Sequence, residues 1–329
     1  MKILITGSEG VLGSTLKKEL RRRGHDVFGC DLAHSADPQV MRADIAEHRQ
    51  LARVFDWANP ELVYDFAAEF GRANGTNYPE QTWKSNCLGT QNVISECLRT
   101  NSILAFASSS EAYGMADDYA PENQDFQEGW LDKYAPQFHN VYALTKWVNE
   151  RQIFMAARNE GLKSVVFRFF NAYGPGEHYS PYRSVVCLFT YRLLKSLPIT
   201  IYKNYFRTHM FINDWCQTVA NLSMYVYLEP IMRKSEYGIW EGSGGSRVPV
   251  FNIGGEEYES VEALAMKILK HIGGSSSEIS FLDAEKANVV SKKPDNTLAR
   301  MWLDHSPTTT LDDGLPPTVE WIREEYGLR

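Results

Sequence analysis

Cysteine is scarce: Cys30, Cys87, Cys97, Cys187 and Cys216 are scattered over 329 residues with no C-x-x-C spacing. An odd count without paired spacing argues against a disulfide framework and against a zinc site, and predicts reduced core thiols in a cytoplasmic protein that binds no metal. Long apolar runs are missing as well; none nears the roughly 18 residues of a membrane helix, so no membrane partner is expected. Met1–Lys2 runs straight into an apolar strand pattern, which leaves no room for a signal peptide. Basic clusters are equally absent. No basic run exceeds three residues, and 34 Lys and Arg against 41 Asp and Glu leave a net charge of −7, which excludes nucleic acid as a main partner. There is no internal repeat and no low-complexity segment. A hydrophobic content of 43% with 23% charged residues is ordinary for a globular chain, long enough for one large domain or two moderate ones.

What is present is concentrated at the start. Lys2–Thr6 is an apolar run without helical period, as a buried strand should be, and it ends in Gly7-x-x-Gly10-x-x-Gly13. Leu12, Leu16 and Leu20 then recur every four residues on one helix face, with Arg21, Arg22, Arg23 and Gly24 suited to the helix C-terminus. A glycine triplet alone also fits a flexible turn. Bracketed by strand and helix, it fits a pyrophosphate site, where one glycine turns the chain, one admits the ligand and one lets helix pack on strand. A second strand, Val27–Asp31, ends in an acid 18 residues after Gly13, where a carboxylate binds a ribose 2′-hydroxyl and repels a 2′-phosphate. That combination predicts NAD rather than NADP.

Strand and helix patterns then alternate. A helix is expected over 46–58, a strand over 61–68 ending in Phe66–Ala67–Ala68, a long helix over 80–99 and a strand over 103–107. The order implies an α/β fold, a Rossmann-type doubly wound parallel sheet. Residues 1–172 form the expected NAD-binding domain. Residues 173–329 form a smaller α/β substrate-binding domain that starts at Gly174–Pro175, with segments near 208–228 and 249–254 returning to the first. The strand at 103–107 leads into Ser108–Ser109–Ser110–Glu111–Ala112–Tyr113–Gly114, which should face the same crevice as the glycine turn. A loop of about 25 residues, 115–139, follows, and loops of that length are usually functional. Tyr142 and Lys146 share a helix face; the pair is common by accident and takes its meaning from the glycine turn and Ser109 before it.

With these residues in order, the chain resembles the extended short-chain dehydrogenase/reductases that act on nucleotide sugars, the NAD-dependent epimerase/dehydratase family. The likeness spans nearly the whole length, from Gly7/Gly10/Gly13, Asp31 and Asp44–Ile45 through Asn86 with Gly89–Thr90, Ser109, Tyr142-x-x-x-Lys146 and Arg168–Pro175 to Arg207–Asp214 and Leu311–Leu315. It implies that Gly7, Gly10, Val11, Leu12 and Gly13 hold the NAD pyrophosphate, Asp31 its ribose and Asp44–Ile45 the adenine. Phe66, Ala67, Ala68 and Asn86 would line the cofactor groove. Asn171 and Arg207 would meet a nucleotide-diphosphate sugar, with Ser110 and the extra cation Arg183 nearby, and Lys292–Lys293 stand where the family often has a diphosphate-binding arginine. A homodimer through the 80–99 and 142–160 helices is implied too.

Oxidising a sugar hydroxyl needs a base. Free tyrosine, with a pKa of about 10, is too weakly ionised at neutral pH, and a cation within about 4–6 Å favours phenolate. The resemblance then makes Tyr142 the base, Lys146 its tuner and ribose anchor, and Ser109 a hydrogen-bond donor to the sugar oxygen, acting through a transient 4-keto sugar with the hydride stored on NAD. Nucleotide-sugar epimerase is the favoured reading. A 4,6-dehydratase would carry an Asp–Glu pair where this chain has Ser110–Glu111, and Ser–Glu also resembles the uronic-acid decarboxylases. Glu111 fits either a base next to the ketone or a structural carboxylate. Asp65 replaces a histidine frequent before Phe–Ala–Ala. A non-catalytic NAD-binding regulator is disfavoured, because Tyr142 and Lys146 are both kept.

Overall fold

The computed structural model describes residues 1–122, 124–225, 248–283 and 288–328. Seven strands form one wholly parallel sheet: β1 (Lys2–Thr6), β2 (Asp26–Asp31), β3 (Val40–Arg42), β4 (Leu62–Asp65), β5 (Ile103–Ser109), β6 (Ser164–Phe170) and β7 (Val250–Gly254). Their spatial order is 3-2-1-4-5-6-7. This is the doubly wound order, in which the crossovers reverse beside β1 and open a crevice at the carboxyl ends of β1 and β4.

The strands read as unbroken apolar runs because both sheet faces are covered. Ile3, Ile5, Tyr64 and Phe167 lie in one core with α1 (Val11–Arg22) and the helix Ile212–Tyr225. Leu4, Val63, Phe106 and Val166 lie in the other, against α2 (His48–Ala58), α3 (Gly89–Thr100) and α4 (Val141–Glu160). The alternation is the two-residue period of a strand.

After β6 the chain leaves the sheet. It forms the helix Val185–Leu194, a parallel pair of 199–202 with 279–282, and a small sheet in which 206–208 lies between 258–260 and 291–292. It rejoins the large sheet when β7 pairs with β6, and the helix 212–225 packs on α1. The stretch 226–228, at the end of the expected return segment, lies outside the described residues.

Two expectations change. The helix expected over 80–99 is broken into Pro79–Trp83, a wide turn at Lys84–Leu88 and α3, and the wide turn swings Asn86 into the interior. The 115–139 stretch, expected as a loop, builds a small core of its own, in which Phe126 and Trp130 pack around Tyr113 and Phe170.

Candidate active site

At the end of β1 the chain turns through Gly7, whose φ of +66° lies in the left-handed region. A Cβ on Gly13 would lie 2.2 Å from the Gly7 carbonyl oxygen, so α1 can meet the turn only where position 13 has no side chain. Gly10 caps α1 without a side-chain hydrogen bond, and the first turn holds no acidic residue. The helix therefore offers unshielded N–H groups and the positive end of its dipole. Asp31 ends β2, its Oδ2 accepting the Glu9 amide and its Oδ1 the Ala33 amide, each at 2.9 Å.

These elements open onto a cleft of about 520 Å³. One end is lined by Gly7, Gly10, Val11, Leu12 and Gly13 with Asp31, Asp44 and Ile45. Phe66, Ala67 and Ala68 form the middle, and Ser109, Tyr142, Lys146, Asn171 and Arg183 the far end. The cradle that only glycine leaves open, the uncapped helix start and the carboxylate beyond them suit a dinucleotide. Sequence reasoning missed Leu32, Ala33, Glu69, Phe70, Ser85 and Glu177, which also line the cleft. Adjacency to Asp31 and Ala68 was the available signal for the first four.

β5 carries Ser109 to the cleft, and Asn140 starts α4 by accepting the Ala143 amide at 2.8 Å, which sets Tyr142 and Lys146 one turn apart. Ser109 and Tyr142 line the same end of the cleft, and Ser109 Oγ accepts the Glu111 amide at 3.2 Å. Burial pushes the Tyr142 hydroxyl up to about 12, with the nearby Ser109 hydroxyl opposing. Lys146 Nζ donates to the Ala107 carbonyl at 2.6 Å and lies 5.8 Å from the centre of the Tyr142 ring. Burial brings Lys146 down to about 8, against the pull of Asp65, Cys87 and Glu150. The ammonium is thus aimed at the Ala107 main-chain carbonyl and lies beside the Tyr142 ring.

Four residues assigned to the site lie behind or beside the cleft. Asn86 is buried; its Oδ1 accepts the Glu69 amide at 2.8 Å, and its Nδ2 donates to the Glu69 carbonyl and Thr145 Oγ1 at 3.0 Å. It shapes the groove wall by holding Glu69 and does not face the groove. Ser110 is buried in the turn after β5. Glu111 is gripped by Lys292 Nζ at 2.5 Å, with Arg72 at 3.9 Å. Burial works against its charge, but Lys292, Arg72 and Arg207 outweigh this and hold the carboxyl below its usual range. Burial brings Lys292 down to about 8. Arg207 is directed at the carbonyls of Phe206, Val289 and Val290 and at Asn288 Oδ1. Arg183 lies 4.0 Å over the Phe70 ring and donates to the His178 carbonyl. Asn171, with φ of +44°, donates to the Thr208 carbonyl at 3.0 Å. Lys293 instead pairs with Asp125 at 3.0 Å.

A glycine cradle at the switch point of a 3-2-1-4-5-6-7 sheet, with serine, tyrosine and lysine converging at the far end, defines the class: a dinucleotide-binding fold of the extended short-chain dehydrogenase type. The NAD dependent epimerase/dehydratase family profile matches residues 3–223, and the chain belongs to that family. It is similar to UDP-glucuronic acid decarboxylase 1 of Xenopus tropicalis, 26% identical over 98% of this chain and 72% of that protein. It is also similar to UDP-glucuronate 4-epimerase 1 of Arabidopsis thaliana, 26% identical over 99% of this chain and 78% of that protein. Among solved structures, UDP-glucose 4-epimerase of Thermotoga maritima with UDP-glucose superposes with a TM-score of 0.82 at 24% identity, covering 99% of this chain and 100% of that one. None of the described helices is long and apolar enough to cross a membrane.

Proposed function

We propose that the protein is an NAD-dependent nucleotide-sugar epimerase that works through a transient 4-keto sugar. One observation carries this reading: Ser109, Tyr142 and Lys146 meet at one end of a single cleft whose other end holds the glycine cradle and Asp31. In it, Gly7, Gly10 and Gly13 with the start of α1 hold the NAD pyrophosphate, Asp31 the ribose diol, and Asp44 and Ile45 the adenine. Bound there, NAD supplies reversible hydride exchange with a sugar carbon. Tyr142 takes the proton of the sugar hydroxyl and later returns it, Ser109 orients the same oxygen, and the Lys146 charge favours the phenolate. Asn171 and Arg183 reach the sugar diphosphate. Residues 1–172 bind the cofactor and most of 173–329 the sugar nucleotide. A homodimer forms through the 80–99 and 142–160 segments, where Trp83, Leu88 and Met155 are exposed.

The test is incubation with UDP-, GDP-, dTDP-, CDP- and ADP-sugars, with products read by NMR. An epimer of one substrate supports the reading; a 4-keto-6-deoxy sugar or a pentose refutes it. A second reading, a uronic-acid decarboxylase, is favoured by Ser110–Glu111 together with the ion pair between Glu111 and the buried Lys292, and by the similarity to the Xenopus decarboxylase. No carboxyl stands at position 110 to complete a dehydratase pair.

A further inference from the structure

Lys146 shares its sheet face with a second buried titratable group. Asp65, the last residue of β4, is 1% exposed. Its register partner on β5 is Phe106, whose ring lies 5.0 Å from Lys146 Nζ, so Asp65, Phe106 and Lys146 occupy the same side of the sheet. Asp65 Oδ1 accepts the Thr6 hydroxyl at 2.7 Å and Oδ2 the Thr90 hydroxyl at 3.3 Å.

What arrives at those hydroxyls sets their direction. Thr6 Oγ1 accepts the amides of Phe66 and Ala67, both at 3.1 Å, and Thr90 Oγ1 accepts Asn149 Nδ2 at 3.2 Å. Each hydroxyl turns its own proton toward Asp65, an arrangement suited to a carboxylate, which only accepts. The groups facing the pair come from every neighbouring element. Cys30 of β2 and Cys97 of α3 face Asp65, their thiols pushed up by burial and by its charge. Cys87 of the wide turn and Glu150 of α4 face Lys146. Glu150 is neutralised by its ion pair with Arg168. Of the carboxylates near Lys146, Asp65 alone has no arginine against it among the described residues.

We infer that Asp65 is a positioning residue: it is the buried counter-ion that keeps Lys146 charged, and through Thr6 it fixes the Phe66–Ala67 wall of the cleft. Burial alone works to strip the proton from Lys146, and Asp65 is the leading opposing charge. Burial also raises the Asp65 pKa, and the two threonine hydroxyls aimed at its oxygens, with Lys146, favour the carboxylate against it. One carboxylate therefore ties the charge at the catalytic end to the backbone of the cofactor wall. This inference rests on the reading of Lys146 as the cation of the reaction.

The test uses the full chain with saturating NAD and lysine labelled with ¹³C at Cε, the Lys146 signal being the one lost in Lys146→Met. Asp65→Asn should lower the Lys146 titration midpoint by about one pH unit or more, the shift a neighbouring opposite charge gives. The alkaline limb of any measured turnover should move down with it. An unchanged midpoint overturns the inference even if activity is lost. A shifted midpoint in a protein that turns over no sugar on the panel leaves the inference standing and removes the proposed function. If Asp65→Asn does not fold, the wild-type protein decides: the Asp65 ¹³Cγ resonance must be that of a carboxylate at neutral pH, and a neutral acid there overturns the inference.

Discussion

Replacing Arg168 with methionine leaves a charge stranded in the core. The guanidinium is almost fully buried and binds Glu150 twice, Nε to Oε1 at 2.9 Å and Nη2 to Oε2 at 2.7 Å. It also reaches the Tyr113 hydroxyl at 3.0 Å and the Glu128 carbonyl at 2.8 Å. Burial works to raise the Glu150 pKa, but Arg168 outweighs it and holds the carboxylate below its ordinary 4.5. Without Arg168, only the Ser108 hydroxyl at 2.6 Å and Arg151 at 3.6 Å oppose burial, and removing one partner of a buried pair costs about 3–5 kcal/mol. The loss depends on pH. In the variant the folded state binds the Glu150 proton above 4.5 and the unfolded state does not, so stability falls as pH rises through that window. Each unit of upward shift adds about 1.4 kcal/mol. The deficit should therefore be small at acid pH and complete above neutrality. Urea unfolding of wild type, Arg168→Met and Arg168→Met/Glu150→Leu at acid and alkaline pH measures it. The double variant should recover about 2 kcal/mol or more, since the two residues are in contact. A single-variant cost under about 1 kcal/mol, or one independent of pH, refutes the reasoning.

Glu128 provides the converse case: burial pushes its carboxyl up to about 7, so the native state loses stability between 4.5 and 7 as pH rises. Glu128→Gln should be more stable than wild type by about 3 kcal/mol above pH 7 and nearly equal to it at acid pH, as urea midpoints will show. Gly13→Ala drives a methyl against the Gly7 carbonyl oxygen and should weaken NAD binding at least tenfold by calorimetric titration; wild-type affinity would contradict the cradle. Tyr142→Phe should lower turnover by about 10²–10⁴ while NAD binding survives, and an active Phe variant excludes Tyr142 as the base.

The glycine turn was legible because its geometry dictates its residues: a positive φ at Gly7 and no room for a Cβ at Gly13 leave little choice of side chain. Tyr142 and Lys146 were legible for a similar reason, since helical spacing alone puts them on one face. Asn86 was not. Its face depends on the wide turn at Lys84–Leu88, which apolar periodicity does not register. Nor could local reading pair Glu111 with Lys292, 181 residues away, or foresee Arg207 directed at main-chain carbonyls. The 115–139 stretch looked like a loop because its aromatics lack period; they are spaced to fit around Tyr113, not along an element.

The late return of β7 has a consequence for a growing chain. β6 is Ser–Val–Val–Phe–Arg–Phe–Phe, and one of its edges stays unpaired until Val250–Gly254 has been made. A nascent or truncated protein ending before that point presents an open apolar strand, the template on which chains associate wrongly. The long excursion between the two strands thus delays closure of the large sheet, and premature termination inside it should yield insoluble protein, not a smaller folded domain.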